Sequence, residues 1–141
     1  RRIEKNKVTL YYPVVLGYIL TETFNIPKGS KVENDIGVPY FIKNSSKNKK
    51  WLYIITSYIC DGINGKTAIT CSSKSISNPP QLLKDIKYML NTSDINSVVI
   101  KKSYVYQTKK GLHRAWILRI IDKKEKLVFK NYLKKYGNFC S

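Results

Sequence analysis

The chain has 141 residues, of which 26 are Lys or Arg and 9 are Asp or Glu, for a formal charge of +17 at pH 7. Hydrophobic residues make up 43% and aromatics 12%, with only seven Gly and five Pro, so it can fill one compact core and is not a disordered basic tail. The longest uncharged apolar runs, Tyr11 to Leu20 and Trp51 to Cys60, cover ten residues each, short of the roughly 18 that a bilayer span needs, so no membrane partner is expected.

Such an excess of positive charge costs self-repulsion, and the usual offset is a polyanionic partner, nucleic acid first among them. Three cysteines, Cys60, Cys71 and Cys140, form an odd set without metal-ligand spacing. They read as reduced thiols of an intracellular protein with no structural zinc. Residue 1 is Arg rather than Met, which reads as a trimmed or missing start, and no basic-then-apolar leader is found.

Lys7 to Tyr12 suits a short strand, and Pro13 then sits well in the first turn of a helix to about Phe24. Gly and Pro punctuate Asn25 to Tyr40, which predicts an ordered connector. Ser45 or Ser46 can cap a helix from about Asn48 to Cys60 whose second half is apolar nearly all round, so burial is expected. Asp61-Gly62 ends it, and Thr67 to Lys74 alternates as a strand, with Thr67, Ile69 and Cys71 on one face and Ala68, Thr70, Ser72 and Lys74 on the other. After Asn78-Pro-Pro80, Leu82, Leu83, Ile86, Met89 and Leu90 recur at helical spacing up to an Asn-Thr-Ser-Asp turn. Ser97 to Gln107 and Leu112 to Ile121 form a hairpin with Lys102, Tyr104 and Tyr106 on one alternating set. Asp122 or Lys123 opens a last helix in which Leu127, Val128, Tyr132 and Leu133 can pack. The plan is α+β, with a sheet whose outer face is basic. Residues 1–44 form an N-terminal strand, helix and connector, and 45–141 form the main domain.

Catalysis needs placed acids, bases or nucleophiles. His113 is the single histidine, no Ser-His-Asp or Cys-His spacing supports acyl transfer, and no Gly-rich phosphate loop opens a helix. Asp61 stands out among the acids. At a helix C-terminus the macrodipole disfavours a carboxylate by about 0.3 to 1 kcal/mol unless a cation offsets it, and a divalent metal would do so.

Ile54-Ile-Thr-Ser-Tyr-Ile-Cys-Asp-Gly62 resembles the nine-residue signature of LAGLIDADG homing endonucleases, with the closing Asp-Gly intact. The resemblance extends from about Phe24 to Gly137. Asn25-Ile-Pro-Lys-Gly-Ser-Lys31, Val38-Pro39, the Ser-rich lead into the signature helix, Ser72-Ser-Lys74, Leu82 to Leu90, the hairpin, Leu118-Arg-Ile120 and a Lys-rich closing helix follow in the family's order. Two positions depart from the pattern: Thr56 stands where a small residue, commonly Gly, is usual, and Ile59 replaces the first acid.

The resemblance implies the αββαββα fold with a saddle-shaped antiparallel sheet, and a metal-dependent, site-specific double-strand DNA endonuclease whose host gene is an intron, an intein or a free-standing reading frame. With one signature, it implies either a homodimer or the C-terminal half of a tandem enzyme whose preceding copy ends in residues 7–24. It implies Asp61 as catalytic acid and Mg²⁺ ligand, with Lys102 and Arg119 as electrostatic helpers placed by approximate alignment. Lys66, Thr70, Ser72 and Lys74 on one strand, and Lys102, Tyr104, Tyr106, Lys109, Lys110, His113 and Arg114 on the hairpin, are the expected DNA contacts. The other reading is a non-cleaving DNA- or RNA-binding module on the same fold, such as an intron splicing factor or a regulator.

Overall fold

The structure, a computed structural model, describes residues 2–4, 7–9, 14–23, 34–63 and 67–137. Strands β1 (Arg2–Glu4) and β2 (Lys7–Thr9) pair antiparallel with Arg2 opposite Thr9. Helix α1 (Val14–Tyr18) continues into a wider turn over Ile19–Thr23. A short helix α2 (Tyr40–Lys43) begins at the last residue of the expected connector. Then come α3 (Lys47–Asp61), β3 (Gly62–Ile63), β4 (Ala68–Ser73), α4 (Gln81–Asn91), β5 (Val98–Thr108), β6 (Gly111–Ile120) and α5 (Lys123–Gly137). The predicted strand to Tyr12 is seen only as Lys7–Thr9, with residues 10–13 outside the described ones, as are Phe24 and the motif at 25–31.

The strand order β3-β4-β6-β5 is antiparallel throughout, so the fold is α+β. Alternation along each strand separates two faces. Ile69 of β4, Val98 of β5 and Trp116, Leu118 and Ile120 of β6 lie on the face that helices cover. Against them pack Ile54, Ile55 and Tyr58 of α3, Leu83, Ile86, Met89 and Leu90 of α4, and Phe129 of α5. Burial of Tyr58 pushes its phenol far above the ordinary value of 10.0, because a charged oxygen has no water to solvate it there.

The sequence places α3 well but overstates its burial. Trp51, Ile54, Ile55 and Tyr58 recur at i, i+3, i+4 and i+7 and are buried. Leu52, Thr56 and Cys60, one turn apart on the opposite side, are exposed. Ser46 takes the cap position through its extended backbone, but its side chain makes no capping bond, while the Ser45 hydroxyl donates to the Ile42 carbonyl at 2.7 Å.

In α5 Phe129 is buried and Tyr132 and Leu133 pack against the core as expected, but Leu127 and Val128 are 63% and 44% exposed, against expectation. The reason is tertiary. Phe129 meets the Trp51 and Tyr58 rings at 6.0 and 4.7 Å, which rotates the neighbouring stripe outward. Asp122 opens the helix, accepting the Glu125 N–H at 2.9 Å.

Two acids tie the loop before α2 to α4. Pro80 opens α4 without a side-chain cap, and Asp35 supplies the missing acceptor, taking the Gln81 N–H at 2.8 Å from a left-handed backbone (φ 45°) that Asp tolerates. Buried Asp85 accepts the Val38 N–H at 2.8 Å, the Gln81 side-chain amide at 2.8 Å and the Lys43 ammonium at 3.3 Å.

Candidate functional site

The face of the sheet turned away from the helices is built by register. Ile63, Ala68, Arg119 and Val99 form one cross-strand row. Thr70, Ile117 and Lys101 form the next, followed by Ser72 with Ala115, and then His113 with Tyr106. From Arg119 to His113 the strand rises by about 20 Å, close to six base steps of a duplex. Arg119 and Lys101 are exposed on this face, whereas Ala68 and Ala115 lie buried between longer neighbours. Sequence reasoning missed Lys101, which shares a face with Thr70 through the shared neighbour Ile117.

The hairpin does not alternate as expected. Lys102 stands opposite Trp116 and Val105 opposite Arg114, so two residues of β5, Ser103 and Tyr104, span one of β6. This β-bulge reverses the faces beyond it. Lys102 therefore lies on the helix side, its ammonium 5.9 Å over the Trp116 ring. Arg114 lies on that side too, donating to the Ser103 carbonyl at 3.1 Å and closing the bulge. Lys102, Tyr104 and Tyr106 do not form one set, and Lys102 and Arg114 do not join the open face. An edge strand carrying lysines and a bulge also resists pairing with a second sheet.

From the bulge onward an aromatic cluster sits on the open face. The Tyr104 ring lies 5.7 Å from that of Tyr106, and Tyr106 lies 5.8 Å from His113. The Tyr106 hydroxyl donates to Ser72 Oγ at 2.7 Å. His113, an expected DNA contact, is only 6% exposed; its Nε2 has no hydrogen-bond partner among the described residues, and its ring flanks that of Tyr106. Lys74 is exposed just past β4, and Lys109 and Lys110 are exposed in the hairpin turn. There the Thr108 hydroxyl accepts the Lys110 N–H at 3.1 Å and donates to the Gly111 carbonyl at 3.0 Å. Lys66 lies outside the described residues.

Asp61 is the last residue of α3, and Gly62 enters β3 directly. The carboxylate is exposed, and it borders a cavity of about 220 Å³ walled by Ile36, Pro39, Tyr53 and Leu82. Ile63, two residues further on, shares a row with Arg119, two strand spacings or about 10 Å across the sheet. Alongside runs the exposed stripe of Leu52, Thr56 and Cys60. The Thr56 hydroxyl donates back to the Leu52 carbonyl at 2.8 Å and the Ser57 hydroxyl to that of Tyr53 at 2.9 Å, so these polar atoms turn onto the helix's own backbone.

No group of three or more His, Cys, Asp or Glu that could hold a metal occurs among the described residues. One exposed carboxylate fits Mg²⁺ as a single hard oxygen ligand, the kind of ion that takes one or two carboxylates and completes its shell with water and substrate phosphate. Among the described residues no helix is long and apolar enough to cross a membrane. No protein-family model, no curated protein and no solved structure matches the chain.

Proposed function

We propose that the protein is a metal-dependent, site-specific double-strand DNA endonuclease of the LAGLIDADG type, acting as one half of a pair. The observation that carries this reading is the position of Asp61. It is an exposed acid at the last residue of a helix that leads straight into the sheet whose far strands carry Lys101 and Arg119, and that helix keeps Leu52, Thr56 and Cys60 exposed on the side facing away from its own core. The element order from α3 to α5 and the strand order β3-β4-β6-β5 support the αββαββα fold with a saddle-shaped sheet.

In this reading the open face lies against the major groove. Lys101, Lys74 and the turn lysines hold phosphates, while Thr70 and Ser72 face base edges. Asp61 would hold the cation, and Arg119, in the neighbouring row, would offset charge on the scissile phosphate. Bound there, Mg²⁺ would supply Lewis acidity at that phosphate. Lys102 is on the other face and is given no role. The exposed stripe of Leu52, Thr56 and Cys60 packs on the matching helix of the second half. The hairpin Arg2–Thr9 followed by a helix over 14–23 has the order of β5, β6 and α5, which favours a tandem enzyme over a homodimer.

The test is incubation with a library of randomised DNA duplexes in Mg²⁺ and in EDTA, beside Asp61→Asn. Recovery of cut duplexes sharing one sequence, only with Mg²⁺ and only with the native acid, is expected. Tight duplex binding with no cutting on any member would leave a binding module on this fold.

A further inference from the structure

Duplex recognition does not account for Tyr104. The residue is 66% exposed, yet its ring packs on a neighbour. The bulge turns it to the open face, Tyr106 flanks it at 5.7 Å with planes 47° apart, and Tyr106 is itself fixed by the hydroxyl bond to Ser72 and by the buried His113 ring behind it. A rigid aromatic ring with one face in solvent suits a flat partner. Within a duplex the bases are stacked on one another, and a groove offers only their edges, so a base presents its face only when it is unpaired. Lys101 on the same face and Lys109 at the turn supply the cations that would follow a nucleic-acid backbone.

We infer that Tyr104 is a stacking platform for an unpaired nucleobase, and that the hairpin half of this face binds single-stranded DNA in addition to duplex. The inference rests on the nucleic-acid reading above but not on cleavage. Tyr106 acts as a positioning residue that sets the tilt and stiffness of the platform.

The experiment measures fluorescence anisotropy at low salt with a labelled oligo-dT strand and with a labelled duplex of equal length, for native protein, Tyr104→Ala and Tyr104→Trp. Tyr104→Ala is expected to weaken oligo-dT binding about tenfold or more and duplex binding by less than about twofold. Tyr104→Trp is expected to retain single-strand affinity and to show indole emission quenched by oligo-dT. Since Tyr104 is exposed, its truncation leaves the core intact. Equal loss on both ligands, or none on oligo-dT, would overturn the platform alone, as would native protein that binds duplex but not oligo-dT. Native protein that binds neither at low salt would overturn the nucleic-acid reading with it.

Discussion

The indole of Trp51 and the ring of Tyr132 stack face to face, with centroids 3.9 Å apart and planes within 7°. This pair fastens α3 to α5, and Tyr136 extends it, stacked at 6.2 Å on Tyr132 with its hydroxyl donating to Asn48 at 3.1 Å. The helix bearing Asp61 is thus gripped along one side and open on the other. Trp51→Ala removes both the stack and a fully buried side chain. It is expected to cost about 3 to 5 kcal/mol in chemical denaturation, and a loss under about 1 kcal/mol would contradict this packing.

Asp85 is the second fastening. Asp85→Ala leaves a buried N–H, an amide and an ammonium without their acceptor, and is expected to cost about 2 to 4 kcal/mol, less than a fully buried ion pair because Lys43 reaches solvent. A Cβ at Gly37 would collide with the Asp85 carboxylate and come within 2.9 Å of the Gln81 side chain. Gly37→Ala should therefore destabilise by about 1 to 3 kcal/mol. Unfolding midpoints of both variants equal to native would refute the clamp.

Acid should weaken the junction between β5 and α5. The Ser97 hydroxyl bond to Glu125 at 2.6 Å, followed by the Ser97 and Asn96 N–H groups, holds the Glu125 carboxyl below its ordinary 4.5. The Glu125 N–H does the same for Asp122, below 3.8. Both groups then take up protons more readily unfolded than folded, so their stabilisation is present above the ordinary values and fades as pH falls through the lowered ones. Urea midpoints followed from about pH 6 to about pH 2.5 should fall on acidification, and Glu125→Gln should flatten the fall. Identical slopes would contradict the assignment.

On the proposed function, strand register and the bulge select the basic residues that would meet DNA. Lys101→Ala and Arg119→Ala should each weaken duplex binding and lower the slope of log K against log salt by about 1. Lys102→Ala and Arg114→Ala should leave the slope nearly unchanged. Slopes that reverse this pattern would place the DNA on the helix side.

Much of this was legible in the residues, and the exceptions share a cause. Proline, glycine and apolar spacing mark α3, β4, α4, the hairpin and α5, and they put Asp61 at a helix end. Local alternation cannot reveal the bulge at Ser103 and Tyr104, because which residue faces which is decided by pairing with β6, and it is the bulge that puts Lys101 and not Lys102 on the face of Tyr106; Arg114 instead follows the plain alternation of β6, on the side of Trp116 and Leu118. Phe129 was passed over for Leu127 and Val128 because both choices make a helical stripe, and only the Trp51 and Tyr58 rings decide between them. Asp35 and Asp85 act across more than forty residues of chain. One signal was available: Pro80 opens a helix without a capping side chain, so an acceptor from elsewhere was needed.

The nuclease reading turns on a carboxylate whose loss should cost the fold nothing, since an acid at the end of a helix is disfavoured by up to about 1 kcal/mol. The most direct measurement pairs Mg²⁺-dependent cutting of the selected duplex with thermal unfolding for native protein and Asp61→Asn. Abolished cutting at an unchanged or higher melting temperature is predicted. An Asp61→Asn variant that cuts at the native rate would contradict the account.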